Sequence, residues 1–543
     1  MALAFVNDRC HCCLQEERSG LLEIKAWFSH AGGAASTFWL QGWDKDDLNC
    51  CNWDYRVLCD STTNRVIKLD LLSVNDDALE DLYLNASLFL PFKELEILDL
   101  RWNQLVGGLK NQGLRKLEVL YLESSDFKEN ILLESLGGLP SLKTLYARES
   151  IFNGKHFGKG WCELKNLERL YLGQNNLKGV LPPCLGNLSS LRYLDLSYNQ
   201  FEGNIAFSHL SHLPQLEKLS ISNNHFQVPI SFGSFMNHSN LKYIACDNNE
   251  LVPGSSFQAP APKLQLRFLS ASSCTSKLLI AEFPTFLHTQ YDLVVVDLSH
   301  NKFVGEPFPS WLFENNTKLK RLYLRNTSFI GPLQLPQNPR PNLHTIDLSD
   351  NNIHGQVARN TCLIFPRLKY FIMANNNLTG CIPLCFGNMS SLAYLDLSNN
   401  HMSCELLEHN LATIGSSFWY LKLSNNNFKG LLPPSVFNMT ELVYLFLDGN
   451  KFVGEVPGTF APTLQIVDIS NNLLSGMLPR GIGNSSIYPV EGIDLSKNHF
   501  EDDKSLVVDS DWSEEFDDEG YVLLCFVLSC YVVLSNQSIL GFL

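Results

Sequence analysis

The chain has 543 residues, of which 45% are hydrophobic, and a formal net charge of −15 at pH 7. Ten acidic residues and one lysine lie within 501–519, which leaves a net charge of −6 for the rest of the chain. Nucleic acids and anionic lipid surfaces attract strongly basic proteins, so the charge excludes both as natural partners.

The N-terminal segment, residues 1–65, is predicted to be a cysteine-rich cap. Residues 1–13 lack the charged and apolar regions of an intact signal peptide, which leads us to expect a truncated start. The stretch LQEERSGLLEIKAWF then places Leu21, Ile24 and Phe28 on one face of an amphipathic helix. A cysteine-dense stretch, LNCCNWDYRVLCDSTTNRVIKLDL, leads from this helix into the first strand.

From residue 66 to residue 500 the spacing L-x-x-L-x-L-x-x-N-x-L-x-G recurs with a period of roughly 22 to 27 residues, in about 17–18 units. In the clearest unit Leu191, Leu194 and Leu196 point inward, and Tyr193, Asp195 and Ser197 are expected to face outward on a short strand. One unit cannot bury its leucines alone, whereas stacked units share a core. We therefore predict an α/β repeat fold, a right-handed leucine-rich-repeat solenoid with a concave parallel β-sheet, closed at its start by the cap.

An asparagine recurs nine places into each unit, as at Asn199. Its amide has both donors and an acceptor, so a ladder of such residues can satisfy turn groups that would otherwise be buried unpaired. The predicted role is therefore structural. Ser125, Ser150, Cys274 and Thr327 replace the asparagine, and weaker rungs are expected there.

The sixteen cysteines show no paired C-x-x-C spacing, so we predict no zinc site and no other metal site. Cys381 and Cys385 form the only close pair inside the array, and no partner pair is evident for them. Cys162 and Cys184 lie one repeat apart at matching positions, which favours a disulfide over two buried free thiols.

Nine N-x-S/T sequons are predicted glycosylation sites, and they favour the secretory route and an oxidising compartment. These sites are Asn85, Asn187, Asn237, Asn315, Asn326, Asn377, Asn388, Asn438 and Asn484.

The repeat stops near residue 500. Residues 501–520 are predicted to be an acidic, solvated linker and not a calcium site, because Asp509 and Asp511 lack the glycine and later glutamate of a calcium loop. Residues 521–543 form an apolar C-terminal segment. Its run from Tyr521 to Leu534 is shorter than the roughly 20 residues that cross a bilayer. Two interpretations stay open, a membrane anchor and an aberrant tail on a truncated protein.

Two sets of residues identify a family resemblance. The CC-x-W-x-x-x-V-x-C run followed by RV-x-x-LDL resembles the N-terminal cap of plant leucine-rich-repeat proteins. Unit endings such as LKGVLPPCLGN, LTGCIPLCFGN and LSGMLP resemble the plant-type L-x-G-x-I-P signature. The chain is similar to plant receptor-like proteins, which are membrane-anchored receptors without a kinase. The resemblance implies disulfides Cys13–Cys50 and Cys51–Cys59.

No catalytic motif and no phosphate-binding glycine loop occurs in the sequence, so we predict neither an enzyme nor a cofactor. The resemblance implies a receptor at the plasma membrane, or a secreted protein, that binds an extracellular peptide or glycan on its concave face. It would signal through a kinase-bearing co-receptor in defence or development. The alternatives are a secreted inhibitor of cell-wall-degrading enzymes and a non-functional receptor fragment.

The candidate ligand-binding residues lie on the early strands, where aromatic and charged side chains occupy outward positions. Tyrosine, tryptophan and arginine dominate binding hot spots, and alternating charges beside aromatic faces favour a peptide. The alternative is that these are solvated variants without a function. These residues are Trp102, Tyr121, Glu123, Tyr146, Arg148, Glu149 and Tyr171. A second patch of Arg321, Tyr323 and Arg325 could bind an acidic group, although a glycan on Asn326 would lie beside it.

Overall fold

The computed structural model describes most of the repeat array and its cap. The described residues are 13–31, 39–74, 82–83, 85–107, 113–124, 138–150, 159–254, 263–275, 283–303, 305, 307–406, 418–458, 460–477, 492–501, 512–516 and 522–526. Residues Met1–Asn301 and Lys302–Leu543 form two compact units.

The first unit begins with the helix Gln15–Ala31, whose Leu21, Ile24 and Phe28 are buried as predicted. Val57–Cys59 pairs antiparallel with Val66–Asp70, and the strands of the following repeats add to this sheet in parallel. These are Ile97–Asp99, Val119–Tyr121, Thr144–Tyr146, Arg169–Tyr171, Tyr193–Asp195, Lys218–Ser220, Tyr243–Ala245, Phe268–Ser270 and Val295–Asp297.

Shorter elements complete each turn of the first unit. A two-stranded parallel sheet contains Leu82–Tyr83 and Leu105–Gly107. A four-stranded parallel sheet contains Lys178–Val180, Gln200–Asn204, His225–Pro229 and Glu250–Val252. The 3₁₀ turns are Cys50–Asn52, Ala86–Phe89, Lys159–Glu163, Pro183–Asn187, His209–His212, Gly233–Phe235 and Thr285–Thr289.

The second unit repeats the same plan. Its main parallel strands are Arg321–Tyr323, Thr345–Asp347, Tyr370–Ile372, Tyr394–Asp396, Tyr420–Lys422, Tyr444–Phe446, Ile466–Asp468 and Gly492–Asp494. One four-stranded parallel sheet contains Ile330–Pro332, Asn352–Gln356, Asn377–Gly380 and His401–Met402. Another contains Lys429–Leu431, Lys451–Gly454, Leu473–Met477 and His499–Glu501. The helical turns are Trp311–Asn315, Thr361–Ile364, Leu384–Asn388 and Pro434–Phe437.

The leucines of each repeat form the core, since Leu191, Leu194 and Leu196 are all buried. Parallel three-residue strands stack in register from turn to turn, which gives the predicted leucine-rich-repeat solenoid and confirms the fold class. Ser197 is an exception to the predicted outward positions. It is buried, because its hydroxyl donates a 2.6 Å hydrogen bond to Asp195 Oδ1.

The asparagine ladder is confirmed. Asn199 Nδ2 donates to Leu172 O (2.8 Å), Leu196 O (3.1 Å) and Ser197 O (3.2 Å), and its Oδ1 accepts from the N–H of Leu177 (3.1 Å). One buried amide thus satisfies backbone groups of two successive turns. Asn224, Asn376, Asn400 and Asn426 repeat this pattern.

Three of the four predicted weak rungs lie in the described residues, and Ser125 lies outside them. Ser150 Oγ is 2.9 Å from Leu122 O and 3.1 Å from Arg148 O, but one hydroxyl proton can serve only one of these acceptors. Cys274 Sγ is 3.5–3.6 Å from three carbonyl oxygens, and a thiol is a weak donor. Thr327 Oγ1 donates instead to Leu324 O or Asn351 Oδ1.

The cap contains two disulfides, Cys13–Cys50 and Cys51–Cys59, which are the pairs that the resemblance implied. Glu17 on the cap helix is fully buried. It accepts from Arg65 Nε (3.1 Å) and from the N–H of Val66 (3.1 Å), which links the cap helix to the first parallel strand. Burial raises the pKa of Glu17 despite these bonds.

Three further disulfides join neighbouring repeats. Cys162 pairs with Cys184, and the structure also contains Cys362–Cys385 and Cys381–Cys404. The bridge Cys162–Cys184 was predicted, whereas the bridges of Cys381 and Cys385 were not. All three bridges span 22 or 23 residues, about one repeat, because stacking places equivalent positions of successive turns side by side.

The C-terminal part differs from the predicted unpaired linker. Trp512–Phe516 is a strand that pairs antiparallel with Val522–Phe526 in the apolar segment. Trp512 and Phe516 in one stretch and Val522 and Phe526 in the other are residue types that favour strands, which explains the difference. Asp509, Asp511 and the rest of 521–543 lie outside the described residues. Within the described part of the chain no helix is long and apolar enough to cross a bilayer.

Candidate ligand-binding surface

The predicted early-strand residues lie on the main sheet of the first unit. Tyr121, Tyr146 and Tyr171 occupy the same position on three adjacent parallel strands and form a row that we call the tyrosine row. A second row lies two residues after Asp99, Tyr121 and Tyr146, directly beyond the ends of their strands. It consists of Arg101, Glu123 and Arg148, and we call it the charged row. The structure thus brings five of the seven predicted residues together on these two rows.

The tyrosines of the tyrosine row stack on one another. The ring centroids of Tyr121 and Tyr146 are 4.7 Å apart with an interplanar angle of 4°, and those of Tyr146 and Tyr171 are 4.5 Å apart at 1°. The faces contact each other, so the half-buried row offers ring edges and hydroxyl groups. Burial raises the pKa of Tyr121 and of Tyr171, so both phenols stay neutral hydrogen-bonding groups.

An aspartate lies at each end of the tyrosine row, in register with it. Asp99 pairs in register with Tyr121, and Asp195 with Tyr171. At the first end the Arg101 guanidinium lies 4.8 Å from the centroid of the Tyr121 ring. This cation–π contact covers the one ring face that stacking leaves free at that end.

The two arginines of the charged row lie beside these two aspartates, Arg101 beside Asp99 and Arg148 beside Asp195. Arg101 binds Asp99 through Nε (2.9 Å) and lies 3.7 Å from Glu123 Oε2. Burial raises the pKa of the Glu123 carboxyl, although the nearby Arg101 lowers it. Arg101 was not among the predicted ligand-binding residues. It occupies the same repeat position as Glu123 and Arg148, and this signal in the sequence could have identified it.

Arg148 differs from Arg101 because its ion pair is incomplete. Its Nε lies 3.7 Å from Asp195 Oδ2 and forms no hydrogen bond within the described structure. A Cβ at Gly173 would lie 3.2 Å from this Nε and 3.3 Å from the Asp195 carboxylate. The glycine therefore leaves space for the two charged groups. The Nε atom of Arg148 is buried, whereas the side chain as a whole is 41% exposed beside the tyrosine row.

Trp102 and Glu149 occupy a different kind of position, directly before the ladder residue. The backbone there is left-handed throughout the array, with φ of 58° at Trp102, 53° at Glu149 and 55° at Tyr198. Asparagine and glycine adopt this conformation readily, and bulky residues seldom do. Trp102 is nonetheless 51% exposed and Tyr198, which was not predicted, 56%. The fold does not require these exposed aromatics.

The second predicted patch lies in the second unit. Arg321 is exposed, but Arg325 Nε binds Asp350 Oδ2 at 2.6 Å and is already neutralised. Eight predicted glycosylation sites, including the neighbouring Asn326, have exposed side chains, and Asn484 lies outside the described residues. Glycosylation of these asparagines stays a prediction.

A pH effect on stability is expected from Asp468 on the sheet of the second unit. Burial, followed by the charge of Asp448, raises the pKa of Asp468 to about 6. The folded protein therefore binds a proton that the unfolded chain, with a carboxyl pKa near ~3.9, releases. The resulting stabilisation is present at low pH and is lost as pH rises through 6.

The free energy of unfolding is thus expected to fall by about 1–3 kcal/mol between pH 4.5 and 7.5 because of this group. Asp468→Asn keeps the acceptor for the Ser470 N–H and should remove that part of the pH dependence. Urea titrations of both proteins at the two pH values test the effect. Identical pH profiles would contradict the assignment.

The leucine-rich-repeat family models match residues 155–201 and 341–402, and a second such model matches 190–213, 417–439 and 463–485. Cuscuta receptor 1 of Solanum lycopersicum is 35% identical over 350 residues, which cover 64% of this chain and 31% of that protein. Receptor-like protein 14 of Arabidopsis thaliana is 32% identical over 472 residues, 71% of this chain and 47% of the relative. The chain spans less than half of the length of these relatives.

Solved structures of plant receptor kinases have the same fold. The ectodomain of GASSHO1/SCHENGEN3 from Arabidopsis thaliana, in complex with CASPARIAN STRIP INTEGRITY FACTOR 2, is 25% identical with a TM-score of 0.61 over 89% of this chain and 64% of that one. The Arabidopsis receptor kinase HAESA, in complex with the peptide hormone IDA and the co-receptor SERK1, is 26% identical with a TM-score of 0.59 over 90% of each chain. The repeats, the cap and these relatives together show that the chain belongs to the plant leucine-rich-repeat receptor-like proteins.

Proposed function

We propose that the chain binds an extracellular peptide on the tyrosine row and the charged row and transmits the signal through a kinase-bearing partner. The single observation that carries the proposal is the 41% exposed Arg148 side chain beside a row of stacked tyrosines. Hydroxyl groups can bond the backbone of an extended peptide, ring edges can pack against it, and the exposed part of the Arg148 guanidinium can bind its carboxylate.

The shape of the surface also favours a peptide over a neutral glycan. Sugar rings stack on aromatic faces, and the faces of the tyrosine row contact one another instead. The similar receptor kinases GASSHO1/SCHENGEN3 and HAESA were solved with peptide ligands, and HAESA also with a co-receptor, which supports both parts of the proposal. Exposed sequons and five disulfides support an extracellular location.

Substitution of the central residues tests the surface. Tyr146→Ala and Arg148→Ala should each weaken peptide binding by about 1–3 kcal/mol, roughly 5- to 150-fold in Kd, because hot spots in protein interfaces have this magnitude. The probe is a peptide selected from a random display library against the secreted protein. Affinity is measured by isothermal titration calorimetry, and thermal stability is measured alongside it.

Phe207→Ala is the matched control, because this aromatic side chain is 85% exposed and lies outside the sheets. It should leave the affinity unchanged. If Tyr146→Ala and Arg148→Ala also leave the affinity unchanged while Arg321→Ala abolishes binding, the ligand binds to the second patch and the proposed surface is wrong.

A further inference from the structure

A line of basic residues runs along the main sheet of the second unit. Lys320, His344 and Lys369 precede three adjacent strands at equivalent positions, and His344 N and Lys369 N each bond the carbonyl of the previous turn's residue. Together with the exposed Arg321 they form the basic row. In the part of the chain that the structure describes, none of these four side chains forms an ion pair.

At the same position in the first unit, two basic residues are paired with acidic residues of adjacent turns. Lys143 Nζ binds Glu118 Oε1 at 2.7 Å, and Arg192 Nε binds Glu217 Oε1 at 2.8 Å. Like charges on adjacent strands are destabilising, because strands lie only about 4.8 Å apart. Burial and then the surrounding lysines and arginines, with Lys369 the largest of them, lower the pKa of His344. This position alternates in charge from Glu118 to Lys242, and Arg267 then follows as a second basic residue. The basic row is a longer run of basic residues, and the fold does not require it.

An aromatic cluster continues the basic row along the same sheet. Tyr394 and Tyr420 stack with centroids 4.0 Å apart, and Trp419 lies edge-on to both at 5.5 and 5.7 Å and to Tyr444 at 6.0 Å. Tyr370 joins the two parts, because it follows Lys369 directly and lies 6.1 Å from Tyr394. The cluster is half-buried, so part of each ring remains accessible.

We propose that the basic row and the aromatic cluster form a second binding surface for an extended peptide that has an acidic segment followed by an apolar or aromatic segment. Charge complementarity identifies the acidic part, because Lys320, Arg321 and Lys369 are exposed cations that form no ion pair within the described part of the chain, and His344 lies between the two lysines. The division into a basic half and an aromatic half identifies a peptide, because a polymer of one acidic sugar would present the same chemistry to both halves.

The inference rests on the proposed function, because it takes the ligand to be a peptide. The residues of this second surface are different from those of the tyrosine row. The aromatic cluster would contribute buried contact area, and the basic row would fix the register of the bound peptide. Aromatic residues and charges have these separate roles in other interfaces. The two surfaces can therefore be tested separately in the same full-length chain.

The probe is a fluorescein-labelled peptide of sequence EEEEGFF, with EEEEGSS and KKKKGFF as comparisons, and binding is measured by fluorescence anisotropy. Lys320→Glu and Lys369→Glu should each weaken EEEEGFF binding by about tenfold or more, since each reverses an exposed charge. The matched control is Lys451→Glu, which reverses an exposed lysine on a different sheet of the same unit and should have no effect. EEEEGSS should bind more weakly than EEEEGFF, and KKKKGFF should not bind.

The outcomes separate the two proposals. Tyr146→Ala should not change EEEEGFF affinity, and if it weakens binding while Lys369→Glu does not, this surface is wrong although the proposed function stands. Equal binding of EEEEGFF and EEEEGSS overturns the role of the aromatic cluster. Complete competition by an oligogalacturonate of equal charge, at equal concentration, would identify an acidic glycan surface and overturn the peptide. Absence of any binding by EEEEGFF also overturns the inference.

Discussion

Asn199→Ala is expected to lower the free energy of unfolding by about 3–5 kcal/mol. The reason is that Asn199 satisfies the carbonyls of Leu172, Leu196 and Ser197 and the N–H of Leu177, all in a buried turn. Each buried group left without a partner costs about 1–3 kcal/mol, and the deleted atoms also leave a small cavity. Urea unfolding followed by circular dichroism measures the change.

Ser197→Ala is the control within the same turn. Its hydroxyl is also buried but makes one hydrogen bond, to Asp195, so the expected loss is about 1 kcal/mol. Equal losses of stability in the two variants would contradict the structural role of the ladder amide, because the Asn199 side chain bonds several backbone groups and the Ser197 hydroxyl bonds only Asp195. Hydrogen exchange at the Leu177 amide gives a local check, since this N–H loses its acceptor only in the Asn199 variant.

Loss of the cap disulfides is the second large effect. Replacing Cys13 and Cys50 by serine opens a bridge between residues 37 apart in sequence, and the chain-entropy estimate for a loop of this length is about 4 kcal/mol. Replacing Cys51 and Cys59, which are 8 apart, should cost about 2–3 kcal/mol. Secreted yield and the denaturation midpoint should fall in the same order.

Cys246→Ala serves as the thiol control, because Cys246 is buried and free and closes no loop. Its effect should be smaller than that of either double replacement. If both cap variants unfold at the same denaturant concentration as the unaltered protein, the cap does not protect the end of the array in the way that the buried Glu17 and the two bridges indicate.

These two predictions concern different parts of the same design. The ladder satisfies polar groups inside every turn, and the cap protects the apolar core where no further turn can cover it. Neither feature involves the outward sheet positions, which is why those positions can vary in residue type without loss of the fold. The tyrosine row, the charged row and the basic row all occupy such positions.

The sequence by itself determined the repeat, the buried leucines and the asparagine ladder. These features are local and periodic, so the residues that perform them occur at a fixed spacing along the chain. The face of the cap helix formed by Leu21, Ile24 and Phe28 could be predicted for the same reason. The positions of Tyr121, Tyr146 and Tyr171 on one row also followed from the period, although the function of that row did not.

Only the tertiary structure decided what these side chains contact across neighbouring turns. It showed that the tyrosine faces stack on one another, that Arg325 is paired with Asp350 and that Arg148 is not fully paired. It also joined Cys362 to Cys385 and Cys381 to Cys404, although Cys381 and Cys385 are closer in sequence. The physical reason is that stacking brings residues one repeat apart to within a few ångströms, and the rotamers chosen there depend on both neighbours at once.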